Sequence, residues 1–371
     1  MTILVVFSHY FGEVPHGTQA LMFGWIAVDM FFVLSGYLVG NLILDKMHND
    51  NFFVVFYVRR ICRTLPIYFI SVLIIAAVLS AFNGTAWLDD DVSFPVWSYF
   101  SFTQTLFMAS TEQIGAHWLA PTWTLAVEEH FYLLAPMTFF FVPRKYLASV
   151  LIAAAAGAVG CRISVYVFNV GNPTAAHVLL PGIADVLICG LLAALASKTD
   201  YVRQGKLDYA LRVTPILLLI SLSLLGLFAG RDSSGFSILR PLIISLASAA
   251  FLLAIARNTP EAEHFRSRFL RFFGRTSYAV YLTHLPALGL MHGLILNARP
   301  DIADTRQWLV TIAALPVCVL ASWLLTKVVE EPITRYGRSW SWSGRPRAAK
   351  MIVRPADDLT VVGLKRPSQN A

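Results

Sequence analysis

The most constraining feature of the sequence is a series of apolar runs, each long enough to cross a membrane as a helix. Such a helix needs roughly 20 apolar residues to cross about 30 Å of hydrocarbon. Hydrophobic residues make up 57% of the 371 and charged residues only 14%. The sequence therefore predicts an all-α, polytopic membrane helix bundle. Nine runs are of full length, at residues 25–44, 66–82, 122–142, 147–168, 176–196, 213–230, 238–256, 276–296 and 308–328.

A shorter apolar run opens the chain. Residues 1–11 have about half the length that a span needs, so we expect them to belong to a first helix that is truncated. The total is then about ten transmembrane helices. We expect the membrane domain to cover residues 1–343, and the polar, proline-punctuated residues 344–371 to be a disordered cytosolic tail.

Basic residues are distributed unevenly between the connections. Of the 29 Lys and Arg, 24 lie in one alternate set, at residues 45–65, 143–146, 197–212, 257–275 and 327–371. By the positive-inside rule, we expect this set of connections and both termini to lie in the cytoplasm. The expected location is the cell (inner) membrane. The net charge of +7 then reflects topology and an anionic cytosolic ligand or lipid, and nucleic acid is not an expected partner. The four cysteines have no spacing that indicates a disulfide framework or a metal site.

Ionisable groups inside the predicted spans are the first candidates for function. They cost several kcal/mol in hydrocarbon unless they face a cavity or a partner. With a rise of about 1.5 Å per residue, five of them fall in the outer half of the membrane. A polar cavity open toward the outer face is the favoured interpretation, with structural pairing as the alternative. The five are His9, Asp29, Glu128, Arg162 and Asp185, and Glu129 and His130 follow Glu128 directly.

Two further stretches have both a structural and a functional interpretation. Arg59, Arg60 and Arg63 precede Pro66, where a span is predicted to start. They are either topology anchors or a phosphate site, because guanidinium groups match phosphate oxygens in pairs. His284 is predicted near mid-membrane, as either a buried structural histidine or a catalytic one.

Taken together, these stretches resemble the acyltransferase 3 family of integral membrane O-acyltransferases. The resemblance implies a bundle of about ten helices that moves an acyl group, commonly acetyl, from cytosolic acyl-CoA to a hydroxyl of a sugar or glycan, without a permanently bound cofactor. The matching pieces occur in the order of the family, as FSHYFG, GWIAVDMFFVLSGYLVG, FYVRRICRTLPIY, PTWTLAVEEHFYLL, FFGRTSYAVYLTHLP and VVEEPITR.

The resemblance also assigns individual positions. His9 matches the key histidine of the family, and one departure is that the family's Arg eleven residues earlier would precede Met1. Some members append a periplasmic hydrolase-like domain, whereas only the short tail at residues 344–371 follows the predicted membrane domain here. We therefore expect transfer to be completed within the membrane domain. The other matches are Asp29 and Ser35 in the second helix, Trp123 and Glu128, the RRxxR arginines Arg59, Arg60 and Arg63, then Ser277, Tyr278, Tyr281, His284, Glu330 and Pro332.

A mechanism follows from these assignments as an expectation. Acyl-CoA would dock its phosphates on the three arginines, and its thioester would meet the acceptor hydroxyl at His9. His9 would act as general base, oriented by Asp29 or Glu128. A covalent acyl-histidine is the other route. The sequence leaves the carbohydrate acceptor and the oligomeric state open.

Two different functions compete with acyl transfer. A glycolipid or polysaccharide transporter or flippase would also use a polar cavity in a helix bundle, but it would give the RRxxR arginines no specific task. A non-catalytic membrane partner in polysaccharide assembly would not need the aligned ionisable groups.

Overall fold

The fold was analysed in a computed structural model that describes residues 1–18, 21, 24–88, 93–228, 233–256 and 267–343. Within these ranges all regular structure is helical. Eight of the helices are long and apolar enough to cross a membrane. The prediction of an all-α polytopic bundle is therefore confirmed. The predicted tail at residues 344–371 lies outside the described residues.

The helices are numbered in chain order. The first helix continues into a π-helical turn, Ser8–Gly12, and the fourteenth helix continues into a second π-helical turn, Thr326–Glu330. The helices are α1 Thr2–Phe7, α2 Gly24–Lys46, α3 Phe52–Ala81, α4 Val96–Phe100, α5 Gln104–Thr111, α6 Thr122–Phe141, α7 Arg144–Tyr166, α8 Pro173–Val178, α9 Leu180–Ser197, α10 Asp200–Arg203, α11 Asp208–Phe228, α12 Ser234–Ile255, α13 Arg268–Leu296, α14 Thr305–Leu325 and α15 Glu331–Ser339.

Each predicted span corresponds to a helix, with three differences. α3 begins at Phe52, so Arg59, Arg60 and Arg63 lie inside it and Pro66 does not start it. The predicted span at 176–196 is divided, because the chain is extended at Leu179 between α8 and α9. α6 is a 20-residue helix but is not among the eight most apolar ones, because its polar residues lower its mean hydropathy.

Pro66 is tolerated inside α3 because another helix replaces its missing hydrogen bond. Proline has no N–H, so the carbonyl of Cys62 one turn earlier loses its intrahelical donor. The Thr334 hydroxyl of α15 donates to this carbonyl at 3.5 Å. Gly337 of α15 lies directly against Cys62, where a Cβ would come within 2.6 Å of the cysteine Cβ. α15 therefore packs closely along the first half of α3.

The connections separate into two ends of the bundle. At one end, which we call the basic end, Lys198 pairs with Asp45 at 2.9 Å and the Asp50 N–H donates to the Ser343 carbonyl at 3.1 Å. At the opposite end His16 pairs with Asp301 at 2.8 Å and Asn172 donates to the Ala109 carbonyl at 2.7 Å. These contacts join connections of the predicted cytoplasmic set at the basic end and connections of the other set at the opposite end.

The centre of the bundle is the crossing of α2 and α9, the most extensive helix contact in the described structure. Two glycines allow it. A Cβ on Gly36 would overlap the Leu187 carbonyl oxygen, and a Cβ on Gly190 would overlap the Val33 carbonyl oxygen. The backbones therefore approach as closely as in other membrane helix pairs built on small residues. The core spreads from here through Phe32, Val127 and Leu187 to α6 and α7.

This crossing yields a prediction about stability. Gly36→Ala should destabilise the protein by about 1–3 kcal/mol, because the added methyl group must push two packed backbones apart. Gly157→Ala in α7 is the matched control, since nothing lies within 4 Å of the position of its Cβ. Thermal unfolding of the purified protein in detergent, followed by tryptophan fluorescence, measures both. Equal midpoints for the two variants would contradict the close crossing.

Candidate active site

His9 lies in the π-helical turn that ends the first helix, and its imidazole is held by a carboxylate. Its Nδ1 lies 2.9 Å from Glu13 Oε2, with the side chains 23% and 38% exposed. The other carboxylate oxygen, Oε1, accepts a hydrogen bond from the Ser8 hydroxyl at 3.0 Å. Ser8 Oγ in turn accepts from the Gly24 N–H at 3.0 Å, which ties the site to the start of α2. The wider turn lets Ser8, His9 and Glu13 converge.

Glu13 is suited to stay ionised. Burial alone would raise its pKa, but the hydrogen bonds from His9 and Ser8, with nearby His117, hold the pKa of Glu13 below its ordinary value. In the neutral imidazole that donates Nδ1–H to Glu13, the Nε2 atom carries a lone pair. This is the arrangement that a general base requires.

A second imidazole lies against the first. The ring centroids of His284 and His9 are 5.0 Å apart, and His284 is fully buried. Its Nδ1 lies 2.8 Å from the Tyr281 carbonyl, so Nδ1 carries the proton and Nε2 is an acceptor. Nε2 has no hydrogen-bond partner among the described residues. The predicted mid-membrane histidine of α13 therefore lies beside His9, and Tyr10 donates to its carbonyl at 2.8 Å.

Both His9 and Glu13 line a cavity of about 710 Å³. Its other walls come from α3, from α13 and from connections of the end opposite the basic end, including Leu88, Arg299 and Pro300. Aromatic side chains form much of the surface, with Trp87 and Trp118 stacked at a centroid distance of 6.2 Å. The volume is in the range that holds a small organic ligand. A polar cavity at this end was predicted, and the structure contains one next to His9.

The predicted depth band does not form a single site, however. Arg162 and Asp185 pair with each other: the guanidinium donates to both carboxylate oxygens at 2.7 and 2.6 Å. Arg162 also donates to the carbonyls of Gly182 and Ile238, so it joins α7, α9 and α12. Asp29 lies within electrostatic range of this pair and of Arg240. We call these four residues the ion-pair cluster.

Glu128 belongs to a third group, on the side of the basic end. It lies beside Ser35 and Tyr132, and the hydroxyls of these two are hydrogen-bonded to each other. The guanidinium of Arg60 lies over the Tyr132 ring at 4.0 Å. The expectation that Asp29 or Glu128 orients His9 is therefore wrong in its geometry: the described contact of His9 is with Glu13. A depth calculation gives height along a helix and not the face that a residue occupies.

The three arginines of α3 have different surroundings. Arg59 donates to the carbonyl of Trp340 at 2.6 Å and lies over the Trp342 ring at 5.1 Å, so it fixes the segment after α15. Arg63 is within electrostatic range of Glu330. Arg60 alone points into the bundle, toward Tyr132. The three predicted donor-site residues therefore do not form one cluster in the structure.

One face of α13 links the basic end to His9. Tyr278 donates to the Thr64 carbonyl at 3.3 Å, and the hydroxyl of Thr64 donates to Glu129 Oε1 at 2.8 Å. One turn later the hydroxyls of Tyr281 and Thr124 are 3.0 Å apart. A gap of about 20 Å³ lies beside these tyrosines, enough for about one water molecule. Movement of side chains must therefore precede the passage of any larger group along this face.

The remaining predicted residues have local contacts. Ser277 donates to the Gly274 carbonyl of its own helix at 3.1 Å, although its side chain also lines the narrow gap. The Trp123 ring is tilted against that of His177, with their centroids 4.7 Å apart, and packs edge-on against Phe32. Glu330 accepts from Thr326 at 3.4 Å.

Glu13 is the residue that sequence reasoning missed. It follows His9 by four positions, which is the spacing of neighbours on a helix surface. The apolar run that predicts the first helix ends at residue 11, so Glu13 lies beyond the predicted helix. His117 was also missed, and nothing in its local sequence distinguishes it from a loop residue.

Comparisons with known proteins were made for the whole chain. The family model described as an acyltransferase domain, Acyl_transf_3, matches residues 1–327. The Bacillus subtilis protein YrhL, whose name gives a provisional assignment as a peptidoglycan O-acetyltransferase, is 28% identical over 347 residues, covering 86% of this chain and 52% of that protein. The peptidoglycan O-acetyltransferase OatA of Listeria monocytogenes is 24% identical over 336 residues, covering 85% and 52%.

A Staphylococcus aureus protein with a provisional O-acetyltransferase assignment is 22% identical over 360 residues, covering 90% of this chain and 57% of that protein. The chain thus spans about half the length of these relatives. No solved structure matches it significantly.

The ion-pair cluster yields a stability prediction. Asp185→Asn should destabilise the protein by about 3–5 kcal/mol, because it leaves the buried Arg162 charge without its partner. The double variant Arg162→Met/Asp185→Leu should recover much of this loss. Asp45→Asn, which breaks the exposed pair with Lys198, serves as control and should cost at most about 1 kcal/mol. Thermal unfolding in detergent compares them, and a double variant no better than Asp185→Asn would refute uncompensated charge as the cause.

Proposed function

Because the chain belongs to the acyltransferase 3 family, we propose that it is a membrane enzyme that transfers an acyl group to a hydroxyl of a carbohydrate. The observation that carries this proposal is the His9–Glu13 pair at the wall of a large cavity. The names of the matched relatives favour acetyl as the acyl group and a cell-wall glycan such as peptidoglycan as the acceptor. The multi-pass protein would lie in the cell membrane with its basic end in the cytoplasm.

His9 is the general base in this proposal. Glu13 holds the ring by Nδ1 and stabilises the imidazolium that forms when Nε2 takes the proton of the acceptor hydroxyl. The hydroxyl oxygen then attacks the thioester carbonyl, the C–S bond breaks, and His9 returns the proton to the leaving thiolate. Glu13 is a positioning residue, held in turn by the Ser8 hydroxyl and the Gly24 N–H.

The cavity would receive the acceptor. Trp87, Trp118 and Tyr99 offer broad apolar surfaces, while Arg299 and His117 add polar groups. A sugar ring presents C–H faces and hydroxyl edges, and such a lining is complementary to both. The connections around the cavity belong to the end at which a cell-wall glycan would arrive.

The acyl donor is proposed to be acyl-CoA arriving from the basic end. Arg60 is the arginine of α3 that reaches into the bundle, and Tyr278, Tyr281 and His284 follow each other along α13 from there to His9. The six residues from Tyr278 to His284, at about 1.5 Å per residue, carry this face across about 9 Å. The narrow gap beside the tyrosines must widen for the thioester to pass, so we expect donor binding to require a conformational change.

Radiolabelled acetyl-CoA tests the function as a whole. Membranes that contain the protein should transfer the label to an extractable glycan, and membranes without it should not. Movement of a glycolipid in the absence of acetyl-CoA would instead identify a transporter. If neither transfer of the label nor movement of a glycolipid is observed, a partner role in polysaccharide assembly remains.

Variants of the histidine pair test the mechanism. His9→Ala should lower kcat at least about 100-fold, the usual contribution of a general base. Glu13→Gln should lower kcat at least about tenfold with little change in KM, because the ring loses its orientation and charge stabilisation, and Glu13→Asp should retain more activity. His16→Ala is the matched control, since His16 forms an exposed pair with Asp301 outside the cavity. Full transfer by His9→Ala, with normal membrane insertion, would refute the general-base role.

The arginines of α3 can be separated by their kinetics. Arg60→Gln should raise the KM for acetyl-CoA, because Arg60 is the inward-facing cation of the donor path. Arg59→Gln should chiefly lower the thermal midpoint, since it removes two donors from the Trp340 carbonyl. Steady-state kinetics and thermal unfolding on both variants distinguish these outcomes. A KM that rises for Arg59→Gln and not for Arg60→Gln would reverse the assignment.

A further inference from the structure

A basic cavity on the rim of the bundle is not used by the proposed reaction. It has a volume of about 290 Å³ and lies at the basic end, between the start of α13 and the end of α14. Four cationic side chains line it, and Glu331 is its one acidic lining residue. We call this cavity the rim pocket, and its cations are Arg268, Arg271, Arg275 and Lys327.

The three arginines occupy one face of α13. Their spacing of three and then four residues places them above one another on the helix surface. Like charges at this spacing repel each other, so an anion bound between them would stabilise the arrangement. Glu331 does not neutralise all of them, because both of its oxygens accept from Lys327, at 2.8 and 2.9 Å. Neither Arg268 nor Arg271 forms a side-chain ion pair with the described residues.

Apolar side chains share the pocket with these charges. Phe272 and Trp323 line it and are 36% and 39% exposed. On the same two helices Phe269 is 62% and Leu324 47% exposed, as expected of surfaces that face hydrocarbon. A tryptophan at the level of the lipid headgroups is typical of a membrane interface. The pocket therefore combines cationic and apolar side chains in its lining.

We propose that the rim pocket binds the phosphate group of an anionic phospholipid of the leaflet at the basic end. The arginine forks would accept the phosphodiester oxygens, and the acyl chains would lie along the exposed apolar surface of α13 and α14. The diphosphate of acyl-CoA has a similar charge but needs no apolar side chains beside it. The thioester of acyl-CoA would also have to reach the bundle interior, whereas the rim pocket opens at the perimeter of the bundle.

The experiment measures lipid binding to the full-length protein in detergent, with no acyl transfer needed. Native mass spectrometry counts bound phosphatidylglycerol and, separately, phosphatidylcholine. The triple variant Arg268→Gln/Arg271→Gln/Arg275→Gln should weaken phosphatidylglycerol binding by roughly 100-fold, because each surface charge contributes about fivefold. Phosphatidylcholine binding should not change.

A matched triple variant separates a built site from general attraction to the membrane. Arg144→Gln/Lys145→Gln/Lys206→Gln removes the same charge from the same end, away from the pocket. It should leave most phosphatidylglycerol binding intact, and an equal loss in both triple variants would overturn the proposal. If the pocket variant fails to fold, Arg271→Gln alone should still weaken binding about fivefold.

A third measurement in the same experiment uses free coenzyme A as the ligand. In lipid-free detergent it should bind the wild-type and the pocket variant equally. A loss of coenzyme A binding in the pocket variant, with phosphatidylglycerol binding unchanged, would show that the pocket serves the nucleotide and would refute the lipid assignment. The experiment measures lipid occupancy and not acyl transfer. The lipid proposal can therefore fail while the proposed acyl transfer holds, and it can hold where acyl transfer fails.

Discussion

Hydrocarbon offers no hydrogen-bond partners, and the arrangement of this bundle depends on that constraint. Backbone groups are satisfied within helices, and polar side chains inside the bundle must find each other. Arg162 meets the constraint most completely, with four hydrogen bonds to Asp185, Gly182 and Ile238. These bonds fix α7 and α12 against α9. α9 is in turn fixed against α2 by the close approach at Gly36 and Gly190.

The same constraint separates structural from reactive polar groups. Asp29, Arg162 and Asp185 of the ion-pair cluster are buried, and Arg162 satisfies Asp185 at both oxygens, which suits a role in holding helices together. The His9 pair is different, because Glu13 is 38% exposed and both residues border the cavity of about 710 Å³, whereas Arg162 and Arg240 line a smaller cavity of about 250 Å³. An imidazole with one nitrogen fixed and the other available can exchange protons with a ligand. Geometry therefore favours His9 over the ion-pair cluster as the reactive centre.

α13 connects the separate parts of the molecule. At its start it carries the arginines of the rim pocket, then the tyrosines that meet Thr64 and Thr124, and then His284 beside His9. A shift of this helix would change the rim pocket, the narrow gap and the histidine site together. Our two proposals, acyl transfer and lipid binding, thus concern different ends of one helix but are tested by independent measurements.

The sequence by itself determined the class of fold and the positions of the long helices along the chain, because a length of about 20 apolar residues is a direct consequence of membrane thickness. It also predicted which connections share an end, and it proposed His9 as a site residue. It did not determine which polar groups meet. Height along a helix follows from residue number, but contact depends on which faces the helices turn toward each other. Only the tertiary structure paired His9 with Glu13, Arg162 with Asp185 and Arg60 with Tyr132, because the packing of α2, α9 and α13 sets those rotations.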